Sequence, residues 1–421
     1  MPPQQLGLPR SLTFWLLGFV TLATFLNAEQ DLLGPDWDVL AKVAIQASWA
    51  LALSIGIAVA LPPLKALGAY IAFFSISATS LFGLTQTLTG SHSASDNLAL
   101  YGLSFYTATF AYWLNSRKVT WQDAFVASSP LALVTGPVLT LVKPCHRRTS
   151  VRANYFLRFV IAGAFLHQVI ATPLTNLLHL IELTDAVSAV GFAVIFEIFV
   201  YTNFCGLSLL VYGILGIFGY RIPLNFRQPF SSRNLVEFWK GWHISLSAVL
   251  KSLFYTPFRK ALGTSGCIIL VYLASSLWHG ITLNFLLWGQ FHAILYLASL
   301  YFLRQKKYGL ATFILPIGIV IGRMMFADAN FDRLLEKLTF SLIDSPRVIS
   351  EILSSNLTTK AALILAGALV TLEYTLRSHR LFKQRTYKFL RINSLQYITL
   401  FVLLSTVSQS IGINYAVYGQ R

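Results

Sequence analysis

Charge is the scarcest commodity in this chain of 421 residues: only 11% are Asp, Glu, Lys or Arg, where a soluble domain carries about 25%. That deficit excludes a run of water-soluble domains, because 55% of the residues are hydrophobic and the mean hydropathy is +0.63. Acidic residues are scarcer still, 16 against 32 basic ones. In so apolar a chain the resulting +16 is juxtamembrane charge rather than a nucleic-acid footprint. Cysteine is nearly absent: Cys145, Cys205 and Cys267 lie far apart, which excludes a disulfide framework and a zinc knuckle. No metal site is expected.

What is present is long apolar runs. They are continuous rather than alternating, which excludes a membrane β-barrel and leaves helices as the way to satisfy every backbone group in lipid. The fold class expected is all-α: one multi-pass integral-membrane domain over residues 1–421. Candidate spans are 12–28, 43–61, 66–89, 98–114, 124–142, 159–180, 186–217, 268–278, 283–303, 311–326, 361–376 and 394–411. The first could mimic a signal peptide, but Leu26 and Ala28 before Glu29 make a poor cleavage site, so it is read as a span. The run 186–217 is long for a single crossing and 268–278 is short, so tilted, broken or re-entrant helices are expected there.

Basic residues cluster at 143–158, 221–260, 304–307 and 377–391. Two passes separate each cluster from the next, so all four fall on one side, and the positive-inside rule makes that side cytoplasmic. Counting further back places the acidic loop 29–38 inside and Arg117 and Lys118 outside, so the N-terminal third fits this scheme less well.

Residues 221–260 cannot form a simple span, because Arg227, Arg233, Glu237, Lys240, Lys251, Arg259 and Lys260 interrupt them. At 100° per residue, Phe238, Trp239, Trp242, Leu246, Val249 and Leu250 share one face, Glu237, Lys240, Ser247 and Lys251 the other, and His243 falls at the boundary. The segment reads as an amphipathic interfacial helix, equally suited to anchoring at headgroup depth and to chemistry.

His279 is an imidazole within an apolar run, in Ser275-Ser276-Leu277-Trp278-His279-Gly280. Ionisable groups at such depth face the protein interior or a water-filled cavity and are functional candidates. A neutral imidazole can remove a proton from a hydroxyl as its oxygen attacks an activated acyl carbon. By spacing alone, acyl transfer stands beside transporter and channel roles, and beside plain packing. His292 and His167 read as packing residues. Glu197 interrupts another apolar run and reads as half of a structural pair with a basic side chain from a neighbouring helix, as a neutral acid, or as a proton relay.

Several blocks resemble the membrane-bound O-acyltransferase family, in particular its bacterial branch that modifies alginate and teichoic acid. Pro223-Leu224-Asn225-Phe226-Arg227-Gln228-Pro229-Phe230 followed by Phe238-Trp239-Lys240-Gly241-Trp242-His243-Ile244-Ser245-Leu246-Ser247 is similar to the family's Pro-x-Asn-Phe and Phe-Trp-x-x-Trp-His-x-Ser-Leu-Ser. Leu277-Trp278-His279-Gly280, with Trp288-Gly289 and His292, resembles its Trp-His-Gly block. Weaker echoes are Gly102-Leu103-Ser104-Phe105-Tyr106-Thr107 and Val134-Thr135-Gly136-Pro137, which puts the motif core at about 100–300.

The resemblance implies interfacial and re-entrant helices around a central tunnel, with His279 catalytic and His243 supporting it. It also implies substrate contacts from Trp239, Trp242, Ser245, Trp278 and Asn225. It implies no bound cofactor, but a thioester co-substrate, acetyl-coenzyme A or an acyl carrier, and an envelope glycan acceptor, in the cell (inner) membrane. Membrane lipids are partners, a soluble acyltransferase on the far side is a candidate one, and nucleic acid is not. Long-chain acylation of a lipid or secreted protein, and a non-catalytic transporter or scaffold, are the alternatives.

The chain departs from the family where alginate-type proteins carry Tyr-Phe-Asp-Phe-Ser-Gly-Tyr-Ser-Asp. Here it reads Tyr201-Thr202-Asn203-Phe204-Cys205-Gly206-Leu207-Ser208-Leu209, with both carboxylates gone. Leu250-Lys251-Ser252-Leu253 likewise stands in place of Leu-Arg-Asp-Tyr.

Overall fold

A computed structural model describes residues 13–14, 16–17, 61–74, 103–116, 142–145, 149–181, 185–327, 334–335 and 347–375. The expected spans at 12–28, 43–61, 124–142 and 394–411, the acidic loop 29–38 and the Val134-Thr135-Gly136-Pro137 echo lie wholly or mostly outside these residues.

The described helices are α1 (Lys65–Phe74), α2 (Leu103–Ser116), α3 (Thr149–Ala164), α4 (Thr172–Leu180), α5 (Ala186–Phe218), α6 (Leu235–Gly241), α7 (Ile244–Leu250), α8 (Thr256–His279), α9 (Leu283–Arg304), α10 (Tyr308–Phe326), α11 (Arg347–Ser354) and α12 (Leu357–Thr375). Two-residue strands, β1 (Lys143–Pro144) and β2 (Tyr220–Arg221), pair antiparallel. The chain forms two compact units interleaved in sequence. One comprises Met1–His146, Tyr220–Pro223 and Ser245–Thr282, the other Arg147–Gly219, Leu224–Ile244 and Leu283–Arg421.

In the second unit α5 is the central helix. It is apolar around its whole circumference and buried along most of its length, with Val187, Val190 and Val194 exposed on one face near its start. Asp185 caps its start by accepting from the Ser188 amide at 2.8 Å, and Gly219, at φ 95°, ends it in the left-handed conformation. Of the tilted, broken or re-entrant forms expected for this run, the break is absent: it is one continuous helix of 33 residues.

Helix α3 continues through a π-helical segment, Phe165–Ala171, into α4, and crosses α5 at backbone contact. A Cβ on Gly206 would lie 2.8 Å from the Gly163 carbonyl oxygen and 2.9 Å from the His167 nitrogen. A Cβ on Gly213 would lie 2.8 Å from the Val160 nitrogen, and one on Gly216 would run into the Phe156 ring. Small residues on one helix face allow this approach, and in lipid the resulting close packing is what holds helices together.

In the first unit α7 passes through a π-helical turn, Lys251–Tyr255, into α8. Gly263, at φ 66° and ψ −171°, then breaks α8 internally. The Cys267 thiol donates to the Tyr255 carbonyl at 3.6 Å. Twelve residues of straight helix would separate these groups by about 18 Å, so the chain doubles back at Gly263. The positive φ suits glycine, and no atom crowds its missing Cβ. The short apolar run expected to be broken or re-entrant is thus the returning limb of a helical hairpin. Its outgoing limb, residues 256–262, is mostly exposed and carries Arg259 and Lys260.

Described helices long and apolar enough to cross a membrane include Val151–Leu178, Ala186–Phe218, Leu283–Arg304, Tyr308–Ala327 and Leu357–Thr375. Val151–Leu178 and Ala186–Phe218 lie between the first two basic clusters, while the cluster at 377–391 falls outside the described residues; the two-pass count is an expectation. Single cysteines introduced in a cysteine-free background at 148, 306 and 383 are accordingly expected to resist an impermeant thiol reagent in intact cells and to react after lysis. External labelling of any one of them breaks the two-pass count.

Candidate active site

Residues 224–244 of the second unit carry the first group of expected site residues, Asn225, Trp239, Trp242 and His243. Asn234 caps α6 by accepting from the Glu237 amide at 3.0 Å, and Glu237 reaches back to the Arg233 amide at 3.0 Å, in the manner of a capping box. The helix stops at Gly241, so the continuous amphipathic helix expected over this stretch is instead two short helices, α6 and α7, broken at Trp242 and His243. The reason is backbone geometry: His243 sits at φ 43°, which no α-helix tolerates.

The break is tied to the preceding loop on both sides. The Arg227 amide donates to the Gly241 carbonyl and the Ile244 amide to the Asn225 carbonyl, each at 2.8 Å. The expected faces survive the break: Phe238, Trp242, Leu246, Val249 and Leu250 are buried, Trp239 is half-buried, and Glu237, Lys240, Ser247 and Lys251 are exposed.

His243 is half-buried, with both ring nitrogens shielded from solvent, 6.4 Å from the Phe204 ring and 6.3 Å from Phe226. Burial holds its imidazole far below the ordinary range, to about 3, so it is neutral at physiological pH. Asn225 is buried, its amide donating to the Ser208 hydroxyl at 3.2 Å. Nearby, Nδ1 of buried His167 lies 2.8 Å from Oδ1 of Asn203. Because that oxygen can only accept, Nδ1 carries the proton and Nε2 is left as an acceptor. His292 packs edge-on against Trp239 at 5.1 Å and Trp288 at 5.2 Å.

The remaining expected site residues, His279, Trp278 and Ser245, belong to the first unit. His279 is the last residue of α8 and half-buried. Its ring stands edge-on to Trp278 at 4.8 Å. Trp278 is buried against Phe105 at 5.5 Å and Phe73 at 6.4 Å, which locks the indole beside which the imidazole sits. Below it Ser275 and Ser276 are buried, the Ser276 hydroxyl bonded to the Leu273 carbonyl at 2.8 Å. The π turn under this wall is held by Tyr70, whose hydroxyl donates to the Leu253 carbonyl at 2.7 Å, and by Asn115, whose amide donates to the Ser252 carbonyl at 2.9 Å. Ser245, expected at a substrate contact, is buried at the start of α7.

Residues 58–312 match the model of the membrane-bound O-acyltransferase family. The chain belongs to that family. It is 30% identical over 215 residues to the probable alginate O-acetylase AlgI of Azotobacter vinelandii, covering 45% of this chain and 42% of that protein. It is 37% identical over 98 residues to the peptidoglycan O-acetyltransferase of Helicobacter pylori, covering 22% of this chain and 19% of that one. With the teichoic acid D-alanyltransferase of Bacillus subtilis it shares 28% identity over 126 residues, 27% of this chain and 32% of that one. The matches span less than half the length of these relatives. His243, His279 and His292 all lie within the family match, and the long apolar helices among the described residues agree with a multi-pass membrane protein.

Two charged residues beyond the family match carry weight that composition and spacing did not reveal. Arg323 of α10 forms a buried ion pair with Glu197, the basic partner from a neighbouring helix that one of the three readings called for. Glu373 of α12, fully buried, accepts from the Tyr201 hydroxyl and from the Phe230 amide at 3.2 Å. The one signal available in the sequence was a lone charge inside an apolar run. Asn203 bonds to His167, and Leu209 is simply buried. Among the described residues no cluster of metal-ligating side chains occurs.

Proposed function

We propose that this chain is a membrane O-acyltransferase that moves an acyl group, acetyl in the first instance, from a cytoplasmic thioester to a hydroxyl of an envelope polysaccharide or lipid-linked sugar. The observation that carries the reading is family membership with the Trp-His-Gly block intact and its histidine half-buried at a helix end. The acceptor hydroxyl gives its proton to His279 as its oxygen attacks the thioester carbonyl. The carbon–sulfur bond then breaks, and the leaving thiolate takes the proton back from the imidazolium. Ester and free thiol are the products, and no covalent enzyme intermediate is needed. The position of His279 at the C-terminal end of α8 supports this role, because the partial negative charge of that end stabilises positive charge developing on the ring.

His243, neutral and shielded, orients substrate or assists His279. His243→Ala is expected to slow transfer about tenfold or more while leaving thioester binding in place. An unaltered rate would return the residue to a surface-anchoring role.

The direct test is mass spectrometry of envelope glycans from cells with and without the chain, together with transfer of radiolabel from acetyl-coenzyme A to the alkali-labile ester fraction of isolated membranes. Loss of O-acetyl groups without the chain is expected. Label found in long-chain esters would favour lipid or protein acylation instead, and no change in any ester would favour a non-catalytic role.

A further inference from the structure

We propose that the buried Glu197–Arg323 ion pair is a positioning element, which holds the Arg323 guanidinium against Trp242 and so fixes the left-handed turn that presents His243. This rests on the reading above only in taking His243 as a participant in transfer.

The argument begins with cost. Glu197 lies well inside α5 and Arg323 near the end of α10, 2% and 6% exposed, within helices apolar enough to span a membrane. Withdrawing two charges from water is expensive, and an apolar pair of equal volume would hold two helices together at least as well. Helix association by itself therefore gives no reason for the pair to be ionic.

A reason appears in what the guanidinium touches. Its Nε donates to Glu197, and its central carbon lies 5.0 Å from the Trp242 ring centroid and 5.5 Å from that of Phe326. A desolvated guanidinium over an indole makes a strong cation–π contact, and a carboxylate that fixes its direction keeps it there. Gly322, the residue before Arg323, leaves the space that the His292 ring occupies, so this end of α10 can sit close to α9.

Trp242 immediately precedes His243. A residue with a Cβ at φ 43° is held there only if its surroundings over-determine it. The two backbone hydrogen bonds to Asn225 and Arg227 fix the ends of the turn. The indole fixes its middle: Phe226 stands edge-on to it at 5.2 Å, Phe238 stacks on it at 5.3 Å, and Arg323 contributes the charged contact. Without the guanidinium, Trp242 keeps aromatic neighbours but loses the one directional, charged contact, and the strained His243 turn can relax.

The test uses the full chain in detergent or nanodiscs. The double variant Glu197→Leu/Arg323→Met removes both charges while keeping bulk, a change that buried ion pairs tolerate without unfolding. It is expected to elute as the parent does, to transfer label from acetyl-coenzyme A about tenfold more slowly, and to cause no further loss when combined with His243→Ala. Parental activity, or losses that simply multiply, would overturn the proposal.

A second readout does not depend on turnover. Carbethoxylation of His243 by diethyl pyrocarbonate, followed by peptide mass spectrometry, is expected to be several-fold faster in the double variant, with His167 unchanged. Equal labelling of His243 in variant and parent overturns the positioning claim even if the parent transfers nothing from acetyl-coenzyme A, a result that would count against the proposed activity alone. Should the double variant not fold, Arg323→Lys serves instead: it keeps the ion pair but offers a point charge in place of a flat face, and faster labelling of His243 is again expected, unchanged labelling again fatal.

Discussion

His279→Ala is expected to lower the initial rate of acyl transfer by at least about 10²-fold, the lower end of what a positioned general base contributes, while expression, detergent stability and donor binding stay near those of the parent. The structure supports the second half of that expectation. His279 is half-buried at the end of α8, and the wall beside it is built by Trp278, Phe73, Phe105 and Ser276 rather than by the imidazole. Removing the ring therefore deletes a proton acceptor and little packing. Radiolabel transfer by the purified variant measures the first half, and size-exclusion chromatography with a thermal ramp measures the second. Parental transfer would remove His279 from the mechanism. A variant that fails to fold would make it a packing residue.

The largest stability effect is expected at a glycine. Gly206→Val places a branched side chain where the Gly163 carbonyl oxygen and the His167 nitrogen lie under 3 Å from the new Cβ. Both neighbours are backbone and cannot swing aside, so α3 and α5 must separate. Overpacking of this kind costs about 3 kcal/mol, and it would also pull His167 from Asn203. Gly367→Ala in α12 and Gly309→Ala in α10 are the controls, since nothing lies within 4 Å of either added Cβ. Thermal unfolding in detergent should show a marked loss for Gly206→Val and none for the controls, alanine favouring a helix over glycine. Equal behaviour of all three would mean that α3 and α5 do not cross at backbone contact.

The sequence was most informative where a single physical demand dominated. Apolar runs without alternation require helices in lipid, and the described residues are helical almost throughout. A break near 268–278 also followed from composition, because the apolar run there was too short to span. The faces of residues 237–251 were legible too, since burial of Phe238, Trp242 and Leu246 depends on side-chain chemistry.

The break at Trp242 and His243 was not legible, because nothing in the local pattern opposes a continuous helix there. The left-handed φ is imposed from outside, by hydrogen bonds to Asn225 and Arg227 in a loop more than a dozen residues earlier. The sequence by itself thus determined the class of protein, its apolar helices and the histidines worth suspecting, because each rests on the solvation of individual residues or on short contiguous motifs. Only the tertiary structure decided that Glu197 pairs with Arg323, that Glu373 holds Tyr201 and Phe230, and that the chain reverses at Gly263. The first two depend on buried charges meeting partners 126, 172 and 143 positions away in sequence, and no local periodicity encodes a partner that far away.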